Sequence, residues 1–398
     1  MRPLSFHVRS VLERTVIRTS TVRDLLATGA GLGIGALAVI VWATRSIQPG
    51  IDLAVYLRAG EAALSGEDLY SPEFGAGLPT PLPFTYPPIA AIAAAPLSSA
   101  PFWLVFSAWT IVSVGALAWL VQISFGSFLD LRRHHWFLLG LWAGLVTPVA
   151  DSLALGQVSG ILVPLVFFAA LGVIARGRSG PTVGVFTAIK LTPGLFILWF
   201  ALLGRWRAVV VNLSLVALLT GLGLALLPSS TWVYFSSEIW GVQRVGNPAS
   251  YMNQSLNGAL TRLGAPQVMW MFVAAVVAIL GLTAATVLAR KYCVIGAISL
   301  VGLTSLLVSP ISWQHHAIWA LPATAVCIGS ASRWARSIGF AAAFLLLLRL
   351  PLLGTSIEIG LLSTLAQSAY VAIYLALCAG ILLSASKVGR QEMSTQTA

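Results

Sequence analysis

The acidic residue best placed to act as a general base is Asp52, which follows the first long apolar segment by a few residues. A carboxylate at the surface of a membrane could accept a proton from a hydroxyl group, such as one on a sugar. Tyr56, four residues later, would lie on the same face of a helix. The alternative is a helix N-cap, for which aspartate is also favoured, and one residue can serve in both ways.

Basic residues in two other segments are candidates for binding an anion. Lys190 lies in an apolar stretch, where an ionisable side chain is costly and by default marks a functional site. The alternative is that its ammonium group extends to the membrane surface. Arg244 and Arg262 lie on a later polar connection, and a guanidinium group can hold a phosphate through paired donors.

His315 and His316 follow Trp313 and Gln314 in another polar connection. A belt of interfacial residues is the simplest interpretation. In a partly dry pocket, imidazole groups beside a cation would instead stabilise negative charge on a departing phosphate, so His315 is predicted to bind phosphate and His316 to be catalytic. No metal site is predicted, because adjacent histidines point in different directions on a helix and no metal-ligand spacing accompanies them.

Gln157 and Asp151 lie in the connection 147–157, near the mouth between two apolar segments. An amide there needs hydrogen-bonding partners that lipid cannot supply, and bonding between helices is the alternative to a binding role. The longest polar connection, 45–84, is rich in aromatic residues and proline, which indicates a rigid loop. These connections are the expected sources of the functional residues.

The composition requires a membrane as the solvent for the elements that position these residues. Of the 398 residues, 58% are hydrophobic and 9% are charged, against about 25% charged in an average soluble protein. So few charges cannot coat a water-soluble core of this size, which excludes a soluble protein. The net charge of +11 comes from basic residues scattered between apolar segments, which argues against nucleic-acid binding.

Charge placement predicts the orientation of the protein in the membrane. Five basic residues precede the first apolar segment and six basic pairs follow later, so that 17 of the 23 would face the cytoplasm. Eight of the 12 acidic residues would lie on the opposite side. This arrangement requires a broken hairpin at 181–204 with Lys190 at its tip, where irregular backbone is tolerated only around a cavity. The functional connections are therefore expected on the extracytoplasmic face.

These observations predict an all-α polytopic membrane protein with about 12 transmembrane segments. Its predicted parts are a cytoplasmic amphipathic leader at 1–24, one transmembrane catalytic domain at 25–386, and a cytoplasmic tail at 387–398. Residues 45–84 would form the first extracytoplasmic loop. Cys293, Cys327 and Cys378 lie in apolar sequence, so neither a disulfide framework nor a zinc site is supported.

Several motifs occur in a defined order over most of the chain. They are Asp52, Tyr70, Phe84-Thr-Tyr-Pro-Pro88, Leu155-Gly-Gln157, Ile189-Lys190, Asn253-Gln-Ser-Leu-Asn257, Arg262, Ser309-Pro310 and His315-His316. This order resembles glycosyltransferase family 87, which belongs to the GT-C superfamily of membrane transferases. Enzymes of that superfamily use polyprenyl-phosphate sugars and carry their catalytic acid in the first extracytoplasmic loop, a position that Asp52 matches.

The resemblance implies a GT-C fold and an inverting α-1,2-mannosyltransferase of the plasma membrane. Mannose would pass from polyprenyl-phosphate mannose to the 2-hydroxyl of a mannose on a phosphatidylinositol mannoside, converting a tetramannoside to a pentamannoside. Asp52 would take the proton on the extracytoplasmic side, without a cofactor. The donor phosphate would be held by Lys190, Arg262, His315 and Arg244. The residues expected to bind the sugar or the acceptor are Tyr56, Arg58, Tyr86, Gln157, Asn253, Gln254, Trp313 and Gln314.

Other activities are compatible with the same motifs. The family also contains polyprenyl-phosphate-arabinose-dependent arabinofuranosyltransferases and mannosyltransferases that branch lipomannan. Outside the family, a secondary transporter or lipid flippase would also show about 12 helices, a broken hairpin and a buried lysine. Repeated halves, which transporters often have, are not found in the sequence, and transport needs no 40-residue aromatic outer loop.

Overall fold

The computed structural model describes residues 21–43, 48–241, 245–291 and 293–396 of the chain. Within these ranges the regular secondary structure is helical, and the only strand-like feature is a single bridge between Asn253 and Trp313. The predicted all-α fold class is confirmed. Most of the predicted leader and the candidate phosphate ligand Arg244 lie outside the described residues.

The helices differ widely in length, from five residues to 28. Those of the N-terminal half are α1 (Val22–Ala43), α2 (Ile51–Ser65), α3 (Pro88–Ser98), α4 (Phe102–Gly126), α5 (Arg133–Leu145), α6 (Thr147–Ala154), α7 (Ser159–Arg176), α8 (Thr182–Ile189) and α9 (Gly194–Leu202). Those of the C-terminal half are α10 (Trp206–Leu226), α11 (Pro228–Ser236), α12 (Leu256–Arg262), α13 (Gln267–Lys291), α14 (Val294–Val308), α15 (Ala320–Ile328), α16 (Arg333–Leu345), α17 (Leu350–Gly354), α18 (Gly360–Gln367) and α19 (Ala369–Gln396). Two short 3-10 helices are Glu238–Trp240 and Gln314–Trp319.

Five of the described helices are long and apolar enough to cross a membrane, namely α1, α4, α7, α10 and α13. Two bent pairs, α5 with α6 and α18 with α19, raise this number to seven if each pair is one span. The other apolar segments predicted from the sequence form shorter helices, such as the 15-residue α14. The polytopic character is confirmed, but the number of helices that meet this length criterion is below the predicted 12 or so.

Helices α1 and α5 pack closely because glycines on each helix face the backbone of the other. Gly31 and Gly35 on α1, and Gly140 and Gly144 on α5, are each spaced by four residues. A methyl group on Gly140 would lie 2.1 Å from the carbonyl oxygen of Thr28, and methyl groups on Gly31 and Gly144 would be equally close to the facing backbone. Small residues at this spacing let membrane helices approach, because lipid provides no hydrophobic force between them.

Substitution of Gly140 by alanine is expected to lower the thermal stability of the protein in detergent. The added methyl group must push two backbones apart, at a cost of about 1–3 kcal/mol. Gly33→Ala, also on α1, is the matched control, since nothing lies within 4 Å of a methyl group there. Thermal unfolding of both variants measures the difference, and equal melting temperatures would contradict the close packing.

The bend between α5 and α6 is 70° and centres on Val146, whose backbone is extended. Pro148 lies in the first turn of α6, where its missing amide hydrogen is tolerated, and proline disfavours a continuous helix through this position. All eight residues of α6 are buried. The bend therefore produces a helix that lies inside the protein, where the polar residue Asp151 can find partners.

The predicted broken hairpin at 181–204 is present as the pair α8 and α9. Helix α8 ends at Ile189, and Lys190 has an extended backbone with φ −147° and ψ 116°. Pro193 immediately precedes α9, which begins at Gly194. The break leaves the lysine at the junction between two short helices, as the sequence predicts.

The longest polar connection, 45–84, contributes to a small hydrophobic core beside α2. The rings of Tyr70, Phe74, Phe84 and Tyr234 pack together in it. The hydroxyl of Tyr70 also donates to the carbonyl oxygen of Tyr86 at 2.7 Å. This packing fixes the segment 83–87 and so determines where the side chain of Tyr86 lies.

Candidate active site

A cavity of about 1340 Å³ lies between α2, the segment 83–87, the break between α8 and α9, and the loop that leads into Gln314–Trp319. This volume exceeds the roughly 300–1,000 Å³ of ordinary ligand pockets, so the cavity has room for parts of two substrates. Most of the site residues predicted from the sequence line it. These are Asp52, Tyr56, Tyr86, Gln157, Lys190, Trp313, Gln314, His315 and His316.

Asp52 lies in the first turn of α2 and is half-buried. The N-cap of this helix is Gly50, with φ 75°, so the suggestion that Asp52 caps the helix is wrong. The backbone amides of Gly50 and Asp52 donate to the carbonyl oxygens of Ala154 and Leu155 at 2.7 and 3.0 Å. These bonds tie α2 to the end of α6 and orient the Asp52 carboxylate towards the cavity that it lines.

Gln157 connects the carboxylate to the aromatic side of the cavity. Its Nε2 donates to Oδ2 of Asp52 at 3.0 Å and lies 3.3 Å from Nε2 of His315. Its Oε1 accepts a hydrogen bond from the hydroxyl of Tyr56 at 2.9 Å and lies 3.4 Å from the hydroxyl of Tyr86. The two tyrosine hydroxyls are themselves 3.0 Å apart. These five side chains form one hydrogen-bonded network.

The electrostatic environment of Asp52 is suited to proton transfer. Burial removes water from the charged carboxylate and raises the pKa of Asp52 from 3.8 to about 6. The hydrogen bond from Gln157 and the charge of Lys190 act in the opposite direction. A carboxyl group with a pKa near the working pH is effective as a general base.

Lys190 supplies the positive charge on the other side of the network. Its Nζ donates to the hydroxyl of Tyr86 at 3.4 Å and lies 5.3 Å from the centroid of that ring. It also lies 3.0 Å from Nε2 of His316, and since an ammonium group only donates, this nitrogen accepts. His316 is therefore neutral.

The two histidines do not add positive charge to the site at neutral pH. Burial and the charge of Lys190 lower the pKa of His315 to about 3. Burial, Lys190 and His315 together lower the pKa of His316 well below its ordinary value. The cationic group among these three residues is Lys190.

A second polar cluster lines the cavity and includes a residue that the sequence analysis missed. Arg349, half-buried after α16, forms an ion pair with Asp151, in which Nη2 lies 2.6 Å from Oδ1. Nε2 of Gln314 donates to the other carboxylate oxygen at 2.6 Å. The available signal was a lone arginine in an apolar run, which marks a functional or paired group.

Three predicted ligands bond to other groups of the protein and do not line the cavity. Asn253 and Gln254 are fully buried. Oδ1 of Asn253 accepts a hydrogen bond from the backbone amide of Ser312 at 2.9 Å. The backbone amide of Gln254 donates to the carbonyl oxygen of Ser312 at 2.7 Å. Nη1 of Arg262 donates to the carbonyl oxygens of Ser250 and Asn253 at 2.7 and 3.0 Å. Burial lowers the pKa of Arg262 to about 10, so it remains charged at neutral pH. Asn253, Gln254 and Arg262 therefore lie outside the lining of the cavity and bond to other parts of the protein.

Arg58 also lies away from the cavity, although it shares α2 with Asp52. It pairs with Glu67 and lies over the ring of Phe74, with 5.6 Å between the guanidinium carbon and the ring centroid. Arg58 therefore contacts the small hydrophobic core beside α2. Arg244 lies in the segment 242–244, outside the described residues.

The sequence of the chain matches a known protein family. The sequence model of glycosyltransferase family 87 matches residues 84–310, which is more than half of the chain. The chain belongs to glycosyltransferase family 87. The resemblance inferred from the order of motifs is confirmed, and membership of a glycosyltransferase family disfavours the transporter alternative.

Named relatives of this family 87 enzyme come from mycobacteria. The chain is 30% identical over 336 residues, 80% of each protein, to the polyprenol-phosphate-mannose-dependent α-(1-2)-phosphatidylinositol pentamannoside mannosyltransferase of Mycolicibacterium smegmatis. It is 31% identical, over 73% of each protein, to the polyprenol-phosphate-mannose-dependent α-(1-2)-phosphatidylinositol mannoside mannosyltransferase of Mycobacterium tuberculosis. A second M. smegmatis protein with that latter name is 32% identical over 73% of this chain and 72% of its own length. No solved structure matches the chain.

The family 87 match covers one part of the hydrogen-bonded network. Tyr86, Gln157 and Lys190 lie within residues 84–310, whereas Asp52 and the two histidines lie outside that interval. The structure brings both groups to one cavity. This arrangement offers a carboxylate of raised pKa, a nearby ammonium group and a volume for large substrates in a glycosyltransferase.

Proposed function

We propose that this enzyme transfers mannose from polyprenyl-phosphate mannose to the 2-hydroxyl of a mannose on a phosphatidylinositol mannoside. The names of the relatives support the donor, the acceptor class and the α-(1-2) linkage. The observation that carries the chemistry is the placement of Asp52 and Lys190 on one cavity, linked through Gln157 and Tyr86. Within this acceptor class, the tetramannoside is the proposed substrate and the pentamannoside the product.

The proposed reaction is a direct displacement at C1 of the donor mannose. The acceptor oxygen attacks C1 from the face opposite to the phosphate while Asp52 accepts its proton. The new bond between C1 and the acceptor oxygen forms as the bond between C1 and the phosphate oxygen breaks, which inverts the configuration at C1. The acceptor proton ends on the carboxylate, and the bonding electrons leave with polyprenyl phosphate.

Lys190 is proposed to stabilise the departing phosphate. Negative charge on the leaving group increases as the bond to C1 breaks, and an ammonium group held in a partly dry site is effective against such charge. His316 accepts a hydrogen bond from Nζ and so holds the lysine in place without competing for the phosphate as a cation. His316 would thus contribute to catalysis by orienting Lys190.

The distribution of basic residues supports an extracytoplasmic site. Arg205 donates to the carbonyl oxygen of Ile174 at 3.1 Å, and Arg290 donates to that of Leu202 at 2.9 Å. Three of the basic pairs that are predicted to be cytoplasmic therefore meet at one end of the helices. These pairs are Arg176 with Arg178, Arg205 with Arg207, and Arg290 with Lys291. Helix α7 has 18 residues and spans about 27 Å from Ser159 to Arg176. Since Ser159 follows Gln157 closely, the cavity lies towards the opposite end of the helices, which is the extracytoplasmic end under this proposal.

Product analysis tests this proposal directly. Purified protein is incubated with polyprenyl-phosphate mannose or its arabinose counterpart and with phosphatidylinositol mannosides that carry different numbers of mannose residues. We expect one added mannose in α-1,2 linkage on the tetramannoside, with linkage and anomeric configuration assigned by NMR. Arabinose transfer, another linkage, or no transfer from either donor would contradict the proposal.

The proposed base predicts an acid limb in the pH profile. Asp52 can accept a proton only when it is ionised, and its pKa is raised to about 6. The value of kcat/KM should therefore fall about tenfold per pH unit well below pH 6 and level off above it. Initial rates between pH 4.5 and 8 in detergent provide the measurement. A profile that stays flat down to pH 4.5 would exclude a base with this pKa.

A further inference from the structure

Gln157 is the central member of the network between the proposed base and Lys190. Its side chain is 4% exposed, although the residue lines the cavity. Four polar side chains surround its amide, namely those of Asp52, His315, Tyr56 and Tyr86. The resemblance to family 87 implies a sugar-binding role for this amide.

Both polar atoms of the Gln157 amide are engaged by side chains of the protein. A glutamine amide has two N–H donors and two acceptor positions on its oxygen. Both donors are directed to protein acceptors, Oδ2 of Asp52 and Nε2 of His315. The oxygen accepts from the hydroxyl of Tyr56 at 2.9 Å and lies 3.4 Å from that of Tyr86. A sugar could bond to this amide only by displacing one of these groups.

The amide can adopt only one orientation in these surroundings. An ionised carboxylate accepts and never donates, so the nitrogen of Gln157 must face Asp52. The reversed amide would place two oxygen atoms 3.0 Å apart without a hydrogen between them. In the observed orientation Nε2 of His315 accepts, which places the proton of that neutral ring on Nδ1.

The hydrogen bonds of the network also share one direction. Lys190 donates to the hydroxyl of Tyr86, which donates to that of Tyr56. Tyr56 donates to Oε1 of Gln157, and Nε2 of Gln157 donates to Asp52. Hydrogen bonds arranged head to tail polarise one another in a medium of low dielectric constant. The cation at one end and the carboxylate at the other therefore favour the same orientation of the amide.

We infer that Gln157 is a positioning residue for the base and not a ligand of the sugar. It holds Oδ2 of Asp52 in place, which leaves Oδ1 for the acceptor hydroxyl. The inference rests on the proposed function, because it requires Asp52 to be the base. Under this inference the rate of mannose transfer depends on the orientation of the Asp52 carboxylate. The amide of Gln157, which Tyr56 and Tyr86 hold in place, determines that orientation.

Gln157→Leu separates positioning from sugar binding. For a positioning residue, kcat falls by about 10- to 100-fold because the base is misaligned, while KM for the acceptor stays within about twofold. The acid limb of kcat/KM also moves to higher pH by up to about one unit, since the hydrogen bond that stabilises the carboxylate is lost. An increased KM for the acceptor with an unmoved acid limb would overturn the inference.

Two further variants keep the test decisive. Tyr56→Phe removes the hydroxyl that donates to Oε1 of Gln157 but keeps the ring, so we expect a smaller fall in kcat with an acid limb displaced in the same direction. Gln122→Leu is the matched control, because this amide is also 4% exposed but donates to Thr28, far from the cavity. It should change thermal stability while kcat and the acid limb remain those of the wild type. If Gln157→Leu does not fold, an unmoved limb and unchanged kcat in Tyr56→Phe overturn the inference.

Failure of this inference is distinguishable from failure of the proposed function. If Asp52→Asn retains full activity, Asp52 is not the base and the proposed mechanism is wrong. If Asp52→Asn is inactive and Gln157→Leu keeps the wild-type acid limb and kcat, only the positioning role is wrong. The two experiments use the same assay and the same full-length protein.

Discussion

Substitution of Asp52 by asparagine is expected to reduce mannose transfer by roughly 10²–10⁴-fold, the usual contribution of a general base. The amide is almost the same size as the carboxylate and its oxygen can still accept the hydrogen bond from Gln157, so the cavity should keep its shape. What is lost is the ability to take a proton from the acceptor. Single-turnover transfer from polyprenyl-phosphate mannose measures the effect, and donor binding should stay as in the wild type.

Glu61→Gln is the matched control for this experiment. Glu61 lies on the same helix, α2, but is exposed and does not line the cavity. The same loss of a carboxylate there should leave the rate of transfer unchanged. Wild-type activity in Asp52→Asn, or equal losses in both variants, would remove the reason for naming Asp52 as the base.

Substitution of Lys190 by methionine is expected to lower the rate of transfer by roughly 10²–10³-fold, as is usual when a group that stabilises transition-state charge is removed. Methionine keeps most of the length of the side chain but has no charge. Because the charge on the phosphate is greatest as it departs, the rate at saturating donor should fall more than donor affinity does. Single-turnover rates and donor binding measured separately give the two quantities.

Lys190→Arg tests whether charge is the property that matters. It should recover part of the rate, because a guanidinium group keeps the positive charge but not the compact shape of an ammonium group. Arg207→Ala removes an exposed basic residue outside the cavity and should have no effect. Unchanged rate and donor affinity in Lys190→Met would show that the phosphate does not contact this residue.

Sequence reasoning singled out polar residues inside apolar sequence that line the cavity of the structure. Lys190, Gln157 and His315 stand out because a charge or an amide at membrane depth is costly without partners. The structure brings all three to one cavity with Asp52. Their individual roles do not follow from that reasoning, because orientation decides them: the amide of Gln157, predicted to bind sugar, has protein partners on every polar atom.

Contacts between distant parts of the chain could not be predicted from one sequence. Arg349 lies between leucines and pairs with Asp151, which is 198 residues away. Asn253 and Arg262 have the chemistry of ligands, but the same donors and acceptors serve equally well to join two loops. In the structure Asn253 bonds to the segment around Ser312, and Arg262 bonds to the carbonyl oxygen of Asn253.

Five to seven of the described helices or bent pairs meet the length criterion for a membrane span, fewer than the predicted 12 or so segments, for a related reason. Apolar composition indicates which segments avoid water, but it does not show where a helix bends or ends. The bend of 70° at Val146 makes one predicted segment into two helices, one of which is completely buried. The break at Lys190 was predictable because charge placement on both sides required the chain to turn back.

The central claim is that one cavity holds the donor phosphate at Lys190 and presents its sugar to Asp52. The most direct measurement is an electron cryomicroscopy structure of the full-length protein with a phosphonate analogue of polyprenyl-phosphate mannose that cannot transfer its sugar. We expect a phosphonate oxygen within hydrogen-bonding distance of Nζ of Lys190, with C1 of the mannose facing the side of Asp52. A phosphonate bound outside this cavity, or a mannose directed away from Asp52, would contradict it.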